Sequence, residues 1–341
     1  MRILVYTDNH FCQHSSIVRG RGEKYSKRLE NQIQSLNWVQ RKAEDLKCDM
    51  IFCLGDFFDK DALNSEELSA LKEICWSTLP KYYLVGNHEI SLSNREYSSV
   101  NILSLIPNTH IIDTPARIGD NKDYILCVPY MVENHNLPEI ARNFGSDRPQ
   151  IVFSHNDIKG IQYGPYLSEK GFLVEDIENC CELFVNGHLH NEMQFCKNGF
   201  NLGNLTGINF SEDAFEYSHM VMLIDTGTKE MQWYENPFAF NFYKIDCVGK
   251  DKLYIDACLQ HIKENAVVTI KVDEWLAEYA RTVFNSKIVE RRVLVNYNKV
   301  EAEVKTEFIA VDHVKQFREF VLSKLGSTDI LMEELTTICK D

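Results

Sequence analysis

Short apolar runs alternate with helical stretches along the first half of the chain. Ile3 to Thr7, Met50 to Leu54 and Tyr82 to Val85 are largely apolar and of strand length, which is typical of strands that are buried on both faces. Between the first two runs, apolar residues recur every three or four positions, as in a helix that covers a sheet; they are Leu29, Ile33, Leu36, Val39, Ala43 and Leu46. This order predicts parallel strands joined by right-handed crossovers.

The pattern changes after residue 187. Shorter runs follow one another and are separated by turn signals such as Lys197-Asn198-Gly199. We expect these runs to form an antiparallel sheet packed beside the first; they are Met193 to Cys196, Phe200 to Leu202, Met220 to Ile224 and Met231 to Tyr234. The predicted fold class is therefore α/β, a two-sheet sandwich flanked by helices.

Two further segments follow the sandwich. Asn236-Pro237 is the clearest break, and from Phe242 to Asn296 strand and helix patterns alternate, which predicts a small α/β cap domain. Residues 305–341 predict a helical tail with two apolar stripes, Val314, Phe317, Val321 and Leu325 and then Ile330, Leu331, Leu335 and Ile338. The predicted domains are 1–236, 237–304 and 305–341. The tail needs either the small domain or another protein to cover it.

Polar side chains follow five of the predicted strands. Because the carboxyl ends of parallel strands meet at one edge of a sheet, we expect these side chains to converge. Carboxylate oxygens and imidazole nitrogens suit divalent cations such as Mn²⁺. The sequence thus predicts one two-metal centre with Asp56 in the middle, built from the loops that carry Asp8, His10, Asp56, Asp59, Asn87, His88, His155, His188 and His190.

The net charge and one local basic stretch bear on whether the protein binds nucleic acid. The 341-residue chain has a formal net charge of -14, which argues against a surface that coats nucleic acid generally. A local basic stretch follows the first metal loop. Composition alone favours a solvated loop, and the place of the stretch beside the metal site is the argument for a DNA contact. Its cations are Arg19, Arg21, Lys24, Lys27 and Arg28.

Cysteine usage and hydropathy predict a location. The 11 cysteines include no CxxC pair, which is typical of reduced thiols. No run has the pattern of a signal peptide or the length of a membrane span. We expect a cytoplasmic protein with no membrane partner.

The order and spacing of the loops resemble the calcineurin-like metallophosphoesterase superfamily over roughly residues 1–235. The resemblance implies the two-sheet metallophosphoesterase sandwich and two divalent ions, with Mn²⁺ expected and Mg²⁺ or others as alternatives. One ion is then held by Asp8, His10 and His190, the other by Asn87, His155 and His188, and Asp56 bridges both. His88 is expected to protonate the leaving oxygen while Asp59 holds its imidazole. Glu89 is expected to have no part in this chemistry and simply to cap the following helix.

A closer resemblance is to SbcD-type DNA nuclease subunits, in phage-like form. It is carried by the small domain after Pro237, by Ser154 to Gly160 leading to Gly171 to Val174, and by Leu202 to Thr206 with Phe210 to Asp213. The resemblance implies a metal-dependent exo- or endonuclease acting on DNA ends in repair, recombination or replication. It further implies a homodimer, a cap that steers DNA, and a tail that docks on the coiled-coil base of an SbcC-type ABC ATPase, in the bacterial host cytoplasm if the chain is phage-encoded.

Two alternatives stay open. A small-molecule phosphodiesterase or nucleotidase would use the same metals, and cyclic nucleotides compared with linear DNA separate the two. A non-catalytic scaffold with the same fold would be expected to have lost metal ligands, whereas this sequence keeps the full set.

Overall fold

The computed structural model describes residues 1–91, 94–119, 124–133, 136–145, 147–163 and 166–297. The predicted tail, 305–341, lies outside the described residues, as do 298–304 of the predicted cap.

The elements follow one another in mixed α/β order. Up to residue 112 they are β1 (Arg2–Tyr6), α1 (Lys27–Asp45), β2 (Met50–Cys53), α2 (Ser65–Ala70), the 3₁₀-helix Leu71–Glu73, β3 (Lys81–Leu84), β4 (Ile90–Ser91), β5 (Asn94–Ser98), the 3₁₀-helix Ser99–Leu105 and β6 (Thr109–Ile112). Then come β7 (Ala116–Ile118), β8 (Ile125–Val128), α3 (Leu137–Arg142), β9 (Ile151–Ser154), β10 (Gln162–Tyr163), β11 (Tyr166–Leu167), α4 (Val174–Cys180), β12 (Leu183–Asn186), β13 (Met193–Cys196) and β14 (Gly199–Asn201). The last are β15 (Met220–Asp225), β16 (Glu230–Glu235), β17 (Asn241–Cys247), α5 (Lys252–Gln260), β18 (Ala266–Asp273), the 3₁₀-helix Glu274–Leu276, α6 (Ala277–Thr282) and β19 (Ile288–Asn296).

Two six-stranded sheets form the body of the fold. Their strand orders are β16-β15-β1-β2-β3-β6 and β13-β14-β12-β9-β8-β7. The apolar core between them includes Val5, Phe52, Phe153, Val185 and Met222, while α1 covers the outer face of the first sheet. The predicted α/β class, two sheets flanked by helices, is confirmed.

The prediction that all the late strands form one separate antiparallel sheet is wrong. β15 pairs antiparallel with β1, with Arg2 opposite Asp225, so β15 and β16 extend the first sheet. β13 and β14 instead join the second sheet beside β12. The physical reason lies in β15, where Val221 to Ile224 are all buried, since such a strand needs cover on both faces.

A third sheet follows the sandwich. β17, β18 and β19 are parallel, and α5 and α6 cover one face through a core that includes Ile255, Leu259 and Ala280. On the other face Phe242 and Val267 pack against Val18, in the loop after the first metal motif. The alternation predicted from Phe242 to Asn296 matches these elements, and the domain boundaries themselves stay a prediction.

Among the described residues there is no helix with the length and apolar character that crossing a bilayer would take.

Candidate metal centre

The predicted site residues lie in loops that leave neighbouring strands of both sheets. Asp8 and Asp56 follow β1 and β2, and Asn87 follows β3, all in the first sheet. His155 and His188 follow β9 and β12, which are adjacent in the second sheet. The two sheets thus bring their ligand loops to the same edge of the sandwich.

The first group is Asp8, His10 and His190, whose candidate ligand atoms lie close together. Nε2 of His10 is 3.1 Å from Nε2 of His190 and 3.8 Å from Oδ1 of Asp8. That Oδ1 is buried and has no hydrogen-bond partner among the described residues. A buried carboxylate oxygen without a donor is unfavourable, so this group fits a cation.

The second group is Asn87, His155 and His188. Oδ1 of Asn87 lies 2.9 Å from Nδ1 of His188 and 3.2 Å from Nε2 of His155. Asp56 lies between the two groups, with Oδ2 3.1 Å from Nε2 of His155 and 3.8 Å from Nε2 of His10. The carboxylate of Asp56 is thus within reach of an ion in either group.

The electrostatic field of the loops also favours cations. Burial opposes protonation of His10, but the hydrogen bonds that its ring donates to the carboxylates of Asp59 and Asp8 outweigh burial and raise the pKa of His10 to about 10. Burial likewise opposes protonation of His155, and the charges of Asp56 and Asp8 raise its pKa to about 9. Surroundings that hold a proton this strongly will also attract a divalent ion.

Two glycines permit the close approach of the loops. A Cβ on Gly86 would lie 2.1 Å from Oδ1 of Asp56, and one on Gly187 would lie 2.2 Å from Oγ1 of Thr7 and 3.0 Å from Oδ2 of Asp8. These distances are far below van der Waals contact. The glycine of each loop therefore serves the packing of the metal centre.

Each of the four histidines in the two ligand groups contacts an acceptor through the nitrogen that faces away from the cluster. Nδ1 of His10 is 3.1 Å from Oδ1 of Asp59, and Nδ1–H of His155 donates to the carbonyl of Leu54 at 2.7 Å. The corresponding contacts are 3.2 Å from Nε2 of His188 to Oδ1 of Asp157 and 3.2 Å from Nδ1 of His190 to Oε1 of Glu212. Such partners fix which nitrogen carries the proton.

The position of Asp59 differs from the expectation. Its carboxylate contacts His10, whereas Nδ1 of His88 lies 3.0 Å from the backbone carbonyl oxygen of Asp59 and 3.9 Å from its carboxylate. His88 is exposed, and its ring centroid lies 4.7 Å from that of His10. His88 therefore stands at the open side of the metal groups, held mainly by a backbone contact.

Glu89 does not cap a helix as expected. It is fully buried, and its two carboxylate oxygens accept hydrogen bonds from the N–H groups of Phe58 and Gly86 at 3.0 and 2.8 Å. Burial and the charge of Asp56 raise the pKa of Glu89 to about 7. Glu89 ties the loop after β2 to the loop after β3.

The predicted DNA contacts divide into exposed and buried residues. Arg19, Arg21 and Lys24 are exposed, and Nη1 of Arg21 lies 2.6 Å from Glu66 while Lys24 pairs with Glu73. Lys27 is half-buried. Arg28 is buried and donates to the carbonyl of Gly207 at 3.3 Å, so its guanidinium supports the fold instead of forming part of an exposed basic surface.

The sequence interpretation assigned no role to Asp157 or Glu212. Asp157 lies two residues after His155, so its position near the site could have been inferred from that spacing. Glu212 lies 22 residues after His190, and no local pattern in the sequence connects the two.

The comparison with protein families identifies the class. The calcineurin-like phosphoesterase family matches residues 1–192, more than half of the chain. The chain therefore belongs to the calcineurin-like phosphoesterase family, whose members hydrolyse phosphoester bonds and use divalent metal ions.

Solved structures give similarities at low identity. TT1561 of Thermus thermophilus is 13% identical with a TM-score of 0.41, over 69% of this chain and 98% of that one. A dimetal phosphatase from Danio rerio is 12% identical with a TM-score of 0.39, over 69% and 98%. The calcineurin-like phosphoesterase YfkN from Bacillus subtilis is 11% identical with a TM-score of 0.36, over 69% and 88%. The search of curated proteins gave no match.

Proposed function

We propose that this protein is a two-metal DNA nuclease, the SbcD-type subunit of a complex with a coiled-coil ABC ATPase. Two divalent ions bound there, expected to be Mn²⁺, would lower the pKa of a bound water and offset negative charge on the phosphoryl oxygens. Asp8, His10 and His190 would hold one ion and Asn87, His155 and His188 the other, with Asp56 shared.

The role proposed for His88 is to protonate the leaving oxygen. Its Nδ1–H donates to the carbonyl of Asp59, so the proton given to the leaving oxygen would come from Nε2–H of the imidazolium form. The exposure of His88 beside His10 gives a phosphodiester access to that nitrogen.

The observation that carries DNA as the substrate is a set of exposed cations on two parts of the chain that pack together, the loop after the first metal motif and the third sheet. Phe242 of β17 packs on Val18 in the loop that carries Arg19. Further along the same face, Lys244 and Arg292 are exposed, and the strand register places both in one row across Thr269. Cations on both sides of this junction suit a polyanion that runs past the metal site.

One observation favours a small phosphodiester instead. The net charge is -14, and two of the cations on the loop, Arg21 and Lys24, are paired with Glu66 and Glu73. Such pairing reduces the charge offered to phosphates. A small-molecule phosphodiesterase or nucleotidase is therefore the second candidate.

The test compares linear DNA with a small phosphodiester in Mn²⁺. We expect the double variant Lys244→Ala/Arg292→Ala to weaken DNA binding and to lower the slope of log K against log salt by about 1 per lost phosphate contact. Hydrolysis of bis(p-nitrophenyl) phosphate should be unchanged. The matched control is Lys229→Ala. Lys229 lies in the turn after β15 and pairs with Glu182.

The outcomes separate the candidates. Cleavage of linear DNA that depends on both metal and Lys244/Arg292 supports the nuclease. Hydrolysis of cyclic nucleotides without cleavage of DNA would instead identify a small-molecule phosphodiesterase. If neither DNA nor cyclic nucleotides are hydrolysed, the non-catalytic scaffold is the remaining hypothesis.

A further inference from the structure

Glu212 is a buried carboxylate with two fixed donors. It is 1% exposed. Oε2 accepts the N–H of Ile208 at 2.8 Å, and Oε1 lies 3.2 Å from Nδ1 of His190. With one oxygen committed to the backbone, the other is held in a defined place beside the imidazole.

The loop that carries Glu212 is anchored at one end on the residue before β17 and at the other on β17 itself. The N–H of Gly207 donates to the carbonyl of Phe240 at 3.1 Å, and that of Ala214 donates to the carbonyl of Phe242 at 2.7 Å. The bridge between Asp213 and Phe242 adds to the second anchor. The place of the Glu212 carboxylate therefore depends on how β17 packs beside the sandwich.

A neutral imidazole has one N–H and one lone pair. An acceptor beside Nδ1 of His190 requires the proton there, which leaves the lone pair on Nε2. That nitrogen lies 3.1 Å from Nε2 of His10, within the group formed with Asp8. Without Glu212 both tautomers are open to His190 and its ring loses a fixed orientation.

We propose that Glu212 is a positioning residue that orients His190 and so sets the affinity of one of the two metal sites, that of Asp8, His10 and His190. This inference rests on the two-metal centre of the proposed function and is independent of DNA as the substrate. Its counterpart at the other site is Asp157, which contacts His188 in the same way. The two acidic residues thus act on different ions.

The test measures Mn²⁺ binding by titration, with free and bound ion followed by electron paramagnetic resonance. We expect Glu212→Ala to weaken one of the two sites by about 10–100-fold, the usual effect of losing such a partner, while the other site keeps its affinity. At intermediate Mn²⁺ concentrations, the spectrum of this variant should therefore be that of single bound ions, whereas the wild type gives that of coupled ion pairs. Glu212→Gln should lie between, because its amide can accept from only one of the two N–H groups.

Asp157→Asn tests the site assignment. In a His190→Ala background, which lacks a ligand of the first site, Asp157→Asn should lower the affinity for the ion that remains. In the same background Glu212→Ala should not change that affinity further. The matched control for a buried carboxylate is Glu67→Gln, since Glu67 is fully buried and accepts the N–H groups of Gln13 and Asn64. That variant should bind both ions as the wild type does.

Wild-type affinity at both sites in Glu212→Ala would overturn the inference. So would equal weakening of both sites together with a lower unfolding temperature of the metal-free protein, which would make Glu212 a structural residue only. If the wild type itself fails to bind two ions, the two-metal centre of the proposed function fails, which is a different result.

Discussion

Four predicted metal ligands hold a backbone conformation that residues other than glycine rarely adopt. Asp8, His10, Asp56 and His188 have φ values of 49°, 47°, 47° and 77°. Each such residue costs about 1–3 kcal/mol and persists only where its surroundings fix it. The surroundings fix His10, for example, through a hydrogen bond from Nε2 of Gln32 to the carbonyl of His10 at 2.6 Å. These four are half of the eight residues other than glycine that have such a φ in the described part of the chain.

The first prediction at this scale concerns His88, whose ring lies near enough to His10 and Asp56 to be a ligand itself. If it acts as the acid instead, His88→Ala should slow cleavage by about 10²–10⁴-fold, the usual contribution of a positioned acid. Metal content and DNA affinity should be unchanged. Single-turnover cleavage and metal analysis of the purified variant measure both.

The control for this variant is His110→Ala, since His110 is exposed and stacks on Tyr82 in the first sheet. Loss of a bound ion from His88→Ala would identify His88 as a ligand. Cleavage at the wild-type rate would remove it from the mechanism.

Residue types and their spacing were enough to predict which loops meet at one edge of the sandwich, because each loop follows an apolar strand. They were not enough to predict the direction in which each side chain points. Asp59 turns to His10, Glu89 turns inward to Phe58 and Gly86, and Arg28 is covered by the loop at Gly207. These contacts join parts of the chain that are distant in sequence, so local patterns cannot predict them.

At the scale of elements, strands were predictable and their partners were not. The run Met220 to Ile224 was expected to be a strand, and it is part of β15. Its pairing with β1 joins residues more than 200 positions apart, and only burial on both faces of the strand points to it. The position of the late strands in the first sheet is therefore set by tertiary packing.

The second prediction concerns the connection between two strand-end loops through Glu89. Glu89→Ala leaves the N–H groups of Phe58 and Gly86 buried without an acceptor, at a cost of about 1–3 kcal/mol for each group. The free energy of unfolding, measured in urea, should therefore fall by at least the cost of one such N–H group. Glu230→Ala, at an exposed position in β16, should change it by less than about 0.5 kcal/mol. A similar small change in Glu89→Ala would mean that the two loops are held together by other contacts.

At the scale of the whole molecule, the third sheet and the loop after His10 share one apolar contact surface. Val18, Phe240, Phe242 and Val267 are all buried there. The third sheet also anchors the loop that carries Glu212. The third sheet therefore helps to hold two loops beside the ligand groups, the one that carries Arg19 and the one that carries Glu212.

The third prediction concerns residues 305–341, whose two predicted apolar stripes are too large for exposure on a soluble monomer. If they dock on a coiled-coil ATPase, deleting them should leave a folded protein that keeps metal-dependent activity on short DNA and no longer forms the complex. Size-exclusion chromatography with the ATPase measures this. A truncated protein that unfolds would assign the stripes to the third sheet's own core, and one that still binds would place the interface elsewhere.

The shared carboxylate of Asp56 is the centre of the account, because it lies between the two ligand groups and follows the strand between β1 and β3. Metal content after equilibration with Mn²⁺ and gel filtration tests it most directly. The wild type should carry two ions per chain, and Asp56→Asn, which keeps the size of the side chain and removes its charge, should lose both together. A variant that still carries two ions would contradict the bridging role of Asp56, and a wild type that carries fewer than two would contradict the two-metal centre.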